Sequence, residues 1–205
     1  MTPVLGTAVD VPTPHGPARI TRHDADDPHA VLLLGHGAGG GVGAPDLVSA
    51  TTAAVAAGVS VVLVEQPYRV AGRRAPAPAG QLDTAWLAVV EHVRTGLPLV
   101  FGGRSSGARV ACRTATEGGA VGVLCLAFPV APPRTPEKHR LAELAAPTVP
   151  VLVVQGERDP FGVPPPAPGR QVLLLPGDHS LRQAHGRLKD AVSLWLTTCT
   201  PEPQR

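Results

Sequence analysis

The chain is poor in the residue types that mark most specialised functions. Aromatics make up only 3% of its 205 residues, charged residues 17%, and cysteine occurs three times. The formal net charge is +2 and the basic residues are scattered, so no stretch carries the electrostatic footprint of a nucleic-acid binder. Cys112, Cys125 and Cys199 are odd in number and lack a C-x-x-C spacing, which argues against a disulfide framework and against a metal site. Cys112 and Cys125 sit in apolar segments and read as small buried hydrophobes. No apolar run approaches the roughly 20 residues that a membrane span needs. The opening "MTPVLGTAVDVPTPHG" has neither the basic nor the apolar region of a signal peptide. A cytoplasmic protein is expected, with neither nucleic acid nor membrane as a partner.

What remains is an apolar fraction of 43%, enough for one good core, so residues 1–205 are read as a single domain. Six runs stand out as strands: "AVLLLG" (30–35), "VSVVLVE" (59–65), "PLVFGG" (98–103), "AVGVLCLAF" (120–128), "VPVLVVQG" (149–156) and "QVLLLPG" (171–177). Most are continuous Val/Leu runs rather than alternating ones, the pattern of strands covered on both faces in a parallel sheet. Between them, Leu82, Trp86, Val89, Val90 and Val93 form one helical stripe, and Leu181, Leu188, Val192 and Trp195 form another. Residues 44–58 are rich in alanine, a close-packing helix with Asp46 as its expected N-cap. The alternation predicts an α/β fold, an open and mostly parallel sheet of about six core strands with helices on both faces. Two weaker runs within residues 1–24 add an antiparallel hairpin at one edge, and residues 198–205 read as a disordered tail. Loops 66–80 and 129–148 are long, with a short helix expected at 136–145, yet neither holds a lid domain.

The segment "VFGGRSSGARVA" contains Gly103-Arg104-Ser105-Ser106-Gly107, a G-x-S-x-G between a predicted strand and a predicted helix. Such a turn lifts the serine hydroxyl above the sheet and requires small residues two positions either side. A weak nucleophile needs a base, and the base an orienter. Downstream, "VPVLVVQGERDPFG" places Asp159 just past the carboxyl end of one strand, and "QVLLLPGDHS" places His179 past the next. All three therefore fall at the edge where α/β sheets present their sites. Glu157 is the nearest competitor for the acid but lies less deep in its turn; Asp178 adjoins His179 and cannot easily reach around to its ring. His139 and His185 lie in polar, helix-like contexts and read as solvated surface. An oxyanion needs two backbone N–H groups: one from Ser106, after the serine, and one from the early glycine loop "HGAGG", with Ala38 the first candidate and Gly39 the alternative.

The set "LLLGHGAGGG", "FGGRSSGARVA", "VVQGERDPFG" and "LPGDHSL" resembles the α/β-hydrolase superfamily. It is most similar to the small dienelactone-hydrolase-like branch, which includes the hydrolase-like domains of testis-expressed and non-specific-lethal-complex proteins. The similarity runs from about residue 17 to the end of the chain. The resemblance implies a Ser105–His179–Asp159 triad, no cofactor, and a small-molecule ester, thioester or lactone as substrate. "EQPYRVAGRRAP" resembles the stretch that follows the second core strand in this branch, near the site mouth. It makes Tyr68, Arg73 and Arg74 candidate contacts for an anionic substrate group, and His36 and Arg104 are added as further candidates. His36 is read first as hydrogen-bonding within its own loop rather than taking part in the chemistry.

Rival readings share the same letters. Gly35, Gly37 and Gly40 satisfy the dinucleotide fingerprint G-x-G-x-x-G, and Glu65 stands where such a protein places its ribose-binding acid. Against this, the glycines continue to Gly43, and Pro45 precedes the helix. A hydrolase-like binding scaffold, or an acyltransferase working through the same acyl-enzyme, stands as the alternative to the hydrolase.

Overall fold

The computed structural model describes residues 7–200. Eight strands form one sheet: β1 (Ala8–Val11), β2 (Ala18–His23), β3 (Ala30–Gly35), β4 (Val59–Glu65), β5 (Leu99–Arg104), β6 (Ala120–Leu126), β7 (Val151–Gly156) and β8 (Arg170–Leu175). Their order is β1-β2-β4-β3-β5-β6-β7-β8. Strands β3 to β8 pair in parallel, while β1 and β2 form an antiparallel hairpin that joins the edge at β4. The expected α/β sheet and its edge hairpin are therefore both present. The part of the hairpin expected before residue 7 lies outside the described residues.

The continuous apolar runs divide by alternation between two cores. Val31 and Leu33 of β3 face the side covered by α3 (Ala79–Val93), α4 (Ser106–Thr114) and α5 (Leu141–Leu144). Leu32 and Leu34 face α1 (Pro45–Ala56) and α6 (His185–Cys199). In the first core Trp86 of α3 meets Phe101 of β5 edge-on, ring centroids 5.7 Å apart, which offsets the scarcity of aromatics with one well-formed pair. Cys112 and Cys125 are buried free thiols with their Sγ atoms 3.5 Å apart, as their apolar settings implied. In half-buried Cys199, burial raises the thiol pKa to about 11, so it too is an inert thiol.

Several boundaries differ from the sequence reading. The N-cap of α1 is Ala44 with Pro45 in the first turn, so Asp46 is a first-turn residue rather than the cap. Pro45 decides this, because its fixed φ suits the first helical position and its missing N–H costs nothing there. Leu181 is buried but precedes α6, in a turn with φ of 47°. The expected helix at 136–145 is confined to Leu141–Leu144, after a proline-rich approach. Residues 198–200 are not a loose tail: α6 runs to Cys199, and Thr200 is buried with its hydroxyl donating to Leu196 O. The residues after 200 lie outside the described chain. Loop 66–80 gains a single helical turn, α2 (Pro67–Val70).

Candidate active site

The carboxyl ends of β5, β7 and β8 bring three distant residues together. Ser105 follows β5 directly with φ of 51° and ψ of −105°, a conformation that side-chain-bearing residues rarely adopt. The surrounding glycines make the turn possible. A Cβ on Gly103 would stand 2.6 Å from Gly35 O, and one on Gly107 would overlap that same carbonyl. Strand β3, strand β5 and helix α4 therefore approach more closely here than any larger residue allows. The Ser105 amide donates to Leu126 O at 2.9 Å, tying the turn to the neighbouring strand.

Ser105 Oγ lies 3.0 Å from His179 Nε2, and His179 Nδ1 lies 2.8 Å from Asp159 Oδ2. The Asp159 side chain is fully buried, and its two oxygens have separate partners. Oδ1 accepts the Phe161 amide at 2.8 Å, and Oδ2 accepts from Gln155 Nε2 at 2.8 Å as well as from the imidazole. A carboxylate so held can fix one imidazole tautomer, with the proton on Nδ1 and a lone pair aimed at the serine. Glu157 and Asp178 are exposed, and Asp178 instead accepts from the Ser180 amide and hydroxyl within its own turn.

Two residues of this site were not anticipated. Phe161 lies over the His179 ring with centroids 4.5 Å apart. It stands two positions after Asp159 in the quoted "RDPFG", so the turn itself held the signal. Gln155 is fully buried near the end of β7, its amide also reaching Phe128 O and Gly162 O at 3.0 and 2.7 Å. A single polar residue inside "VLVVQG" was the sign to look for.

The glycine loop after β3 faces the same turn. A Cβ on Gly37 would stand 3.7 Å from Ser105 Cβ, which puts this loop in contact with the serine. His36 is buried, 3% exposed, and both its ring nitrogens are in use. Nδ1 donates to Gly37 O at 2.8 Å and Nε2 accepts the Gln66 amide at 3.1 Å, an arrangement that requires the neutral ring. Burial accordingly pushes the His36 pKa down. Tyr68 donates its hydroxyl to Ala38 O at 3.0 Å, and burial raises its pKa. With Gly37 O and Ala38 O held from one side, the amides of Ala38 and Gly39 point away from these contacts, because C=O and N–H oppose one another in a trans peptide. Neither amide has an acceptor among the described residues, and the first amides of α4, including Ser106, have none within the helix.

Three of the five candidate substrate contacts have polar partners within the protein. His36 and Tyr68 brace the glycine loop, and Arg104 binds Asp46 and His179 O, so their polar ends serve the protein. Arg73 and Arg74 are exposed in loop 66–80. His139 is exposed as expected, whereas His185 is half-buried and meets Ser49 Oγ at 3.0 Å. That hydroxyl donates to Pro45 O at 2.8 Å, so the pair joins α1 to α6. Among the described residues no cluster of His, Cys, Asp and Glu is arranged to hold a metal ion, and no helix is long and apolar enough to cross a membrane.

Comparison with known proteins agrees with this fold. The fold matches a lidless a/b serine hydrolase from Xanthomonas campestris with a TM-score of 0.76 at 19% identity, covering 100% of this chain and 99% of that one. An alpha-beta serine hydrolase homologue from Coxiella burnetii gives a TM-score of 0.75 at 17% identity over 94% and 98% of the two chains. Dienelactone hydrolase from Anabaena variabilis gives 0.72 at 16% identity over 94% and 96%. No curated protein matches the sequence. The family described as "Alpha/beta hydrolase domain" matches residues 28–187. A lidless α/β fold with a serine raised at the end of β5 thus has its counterpart in sequence: the chain belongs to the α/β-hydrolase domain family, whose fold supports hydrolase activity.

Proposed function

We propose that the protein is a serine hydrolase of small ester-type substrates, carboxylester, thioester or lactone, acting through an acyl-enzyme on Ser105. The observation that carries the reading is the continuous hydrogen-bonded chain from Ser105 Oγ through His179 to buried Asp159, at 3.0 and 2.8 Å. His179 removes the hydroxyl proton as Ser105 attacks the carbonyl carbon. Asp159 holds the ring and balances its charge once protonated. The negative charge on the carbonyl oxygen is met by the Ser106 amide and by that of Ala38 or Gly39, unpaired donors fixed before substrate arrives. His179 then returns its proton to the leaving group. Water, deprotonated by the same ring, then attacks the acyl-enzyme carbonyl; the bond to Ser105 Oγ breaks, His179 returns the proton to that oxygen, and the acid leaves.

The test is covalent labelling with a fluorophosphonate, alongside turnover of p-nitrophenyl acetate. Wild-type protein is expected to be labelled at Ser105. Ser105→Ala should lose both labelling and at least three orders of magnitude in kcat, as other serine triads do. Folded wild type that is neither labelled nor active would leave a hydrolase-like binding scaffold as the better account. A residual rate in Ser105→Ala within about tenfold of wild type would remove Ser105 from the mechanism.

A further inference from the structure

Arg104, the residue before the serine, makes contacts that a solvent-facing arginine would not. Its side chain is only 18% exposed, and Nε lies 2.9 Å from Asp46 Oδ2, in a carboxylate with no exposure at all. Its Nη2 donates to the backbone oxygen of His179 at 3.0 Å. The remaining arm, Nη1, stands 3.0 Å from where a Cβ on Gly37 would be, against the loop that carries Ala38 and Gly39. One guanidinium therefore lies beside three separate pieces of chain and is paired with two of them. The three are the turn bearing His179, the loop bearing the candidate oxyanion amides, and the first turn of α1. Burial pushes the Asp46 pKa up, and the opposing pull of the Arg104 charge only partly offsets it. Asp46 Oδ1 also accepts the Leu47 amide at 3.0 Å, and removing either member of so buried a pair leaves the other uncompensated.

We propose that Arg104 is a positioning residue: anchored by Asp46, its fork fixes the His179 turn and the glycine loop relative to Ser105. This rests on the hydrolase reading above. The planar guanidinium suits the task, because it sets its charge against Asp46 while Nη2 donates to His179 O. Lysine carries the same charge to Asp46 but has no fork to span the distance to His179 O. Asp46 touches neither serine nor imidazole and acts only through Arg104.

The test is a double-mutant cycle of Arg104→Lys and Asp46→Asn, measured on p-nitrophenyl acetate and by the rate of fluorophosphonate labelling, with thermal unfolding in parallel. Arg104→Lys is expected to lower kcat about 100-fold, since an error near 1 Å in a reacting group costs about that much. KM should change less than about twofold, because substrate contacts are untouched. Asp46→Asn, nearly isosteric, should lower kcat to a lesser degree. The double variant should be no worse than Arg104→Lys alone, because both changes act through one side chain. Additive losses, a rise in KM that accounts for the loss, or labelling of folded Arg104→Lys at the wild-type rate would overturn the proposal. A kcat loss matched by a loss of folded protein would make Arg104 structural and overturn it equally. Failure of wild type to label would instead remove the hydrolase reading, and the positioning role with it.

Discussion

At Gly107 the backbone of α4 lies against the end of β3, and a methyl group there would overlap Gly35 O. The obstacle is backbone on both sides, so no side chain can swing away to relieve it. Gly107→Ala is therefore expected to cost about 1–3 kcal/mol as overpacking. The melting temperature should drop by several degrees, and Ser105 should lose its geometry. Gly80→Ala in the first turn of α3 is the control, since nothing lies within 4 Å of its added carbon. Equal melting temperatures for the two variants would show that the β3–α4 contact is looser than described. Ser105, Asp159 and His179 were legible in the sequence because each closes an apolar run with a turn, and chain order alone brings such ends to one sheet edge. The loop bond of His36 was legible too, but its Gln66 partner and the partners of Tyr68 and Arg104 were not. These partners are 30, 30 and 75 positions away, at Gln66, Ala38 and His179, and a histidine or arginine near a site mouth carries no mark that its donors are already taken.

Elements α3, α4 and α5 share an ion-pair network on the face that holds Trp86. Arg113 on α4 reaches Asp83 of α3 at 2.7 Å and Glu143 of α5 at 3.0 Å, while Arg109 binds Glu143 through both its oxygens at 2.7 Å. Burial pushes the Glu143 pKa up, but the hydrogen bonds and charges of Arg109 and Arg113 outweigh it and leave the carboxyl below its ordinary value of 4.5. The sign of the pH effect follows. The unfolded chain takes up the proton first as pH falls, so the stability contributed above pH 4.5 is lost progressively below it. Glu143→Gln should lower the melting temperature at pH 7 by the loss of a charged hydrogen-bond acceptor, about 1–2 kcal/mol after allowance for its partial exposure. The difference from wild type should shrink as the pH is lowered from 5 to 3. A constant difference over that range would mean that Glu143 is not ionised within the network. This helix-to-helix wiring explains why α5 was misjudged: "PEKHRLAEL" has no strong stripe of its own, and its single turn is held by Arg109 and Arg113 rather than by propensity. The strands needed no such help, because both faces of each run are apolar.

Across the whole molecule, β3 is the strand from which the order runs both ways, to β4 on one side and β5 on the other. The loops after β3 and β5 diverge there, which opens the crevice in which α/β sheets place their sites. Nothing in the described chain covers it with a separate lid, and the hollows beside it are small or polar. One of about 10 Å³ lies between His36, Tyr68, Trp86 and Ser106, far below the roughly 300 Å³ at which ligand pockets begin. Another of about 350 Å³, next to the His179 turn, is lined by Arg158, Asp178, Ser180, Arg182 and Gln183 with Gly177. Neither offers an apolar tunnel. An enclosed tunnel gains about 0.8 kcal/mol for each methylene it buries, close to a fourfold rise in kcat/KM per added carbon. An open crevice gains almost none of this, and bulk near the carbonyl slows attack. Across p-nitrophenyl acetate, butyrate, hexanoate and octanoate, kcat/KM is therefore expected to be highest for the shortest esters and to fall or stay level beyond butyrate. A steady several-fold increase from acetate to octanoate, abolished in Ser105→Ala, would show that loops 66–80 and 129–148 close over the acyl chain to bury it.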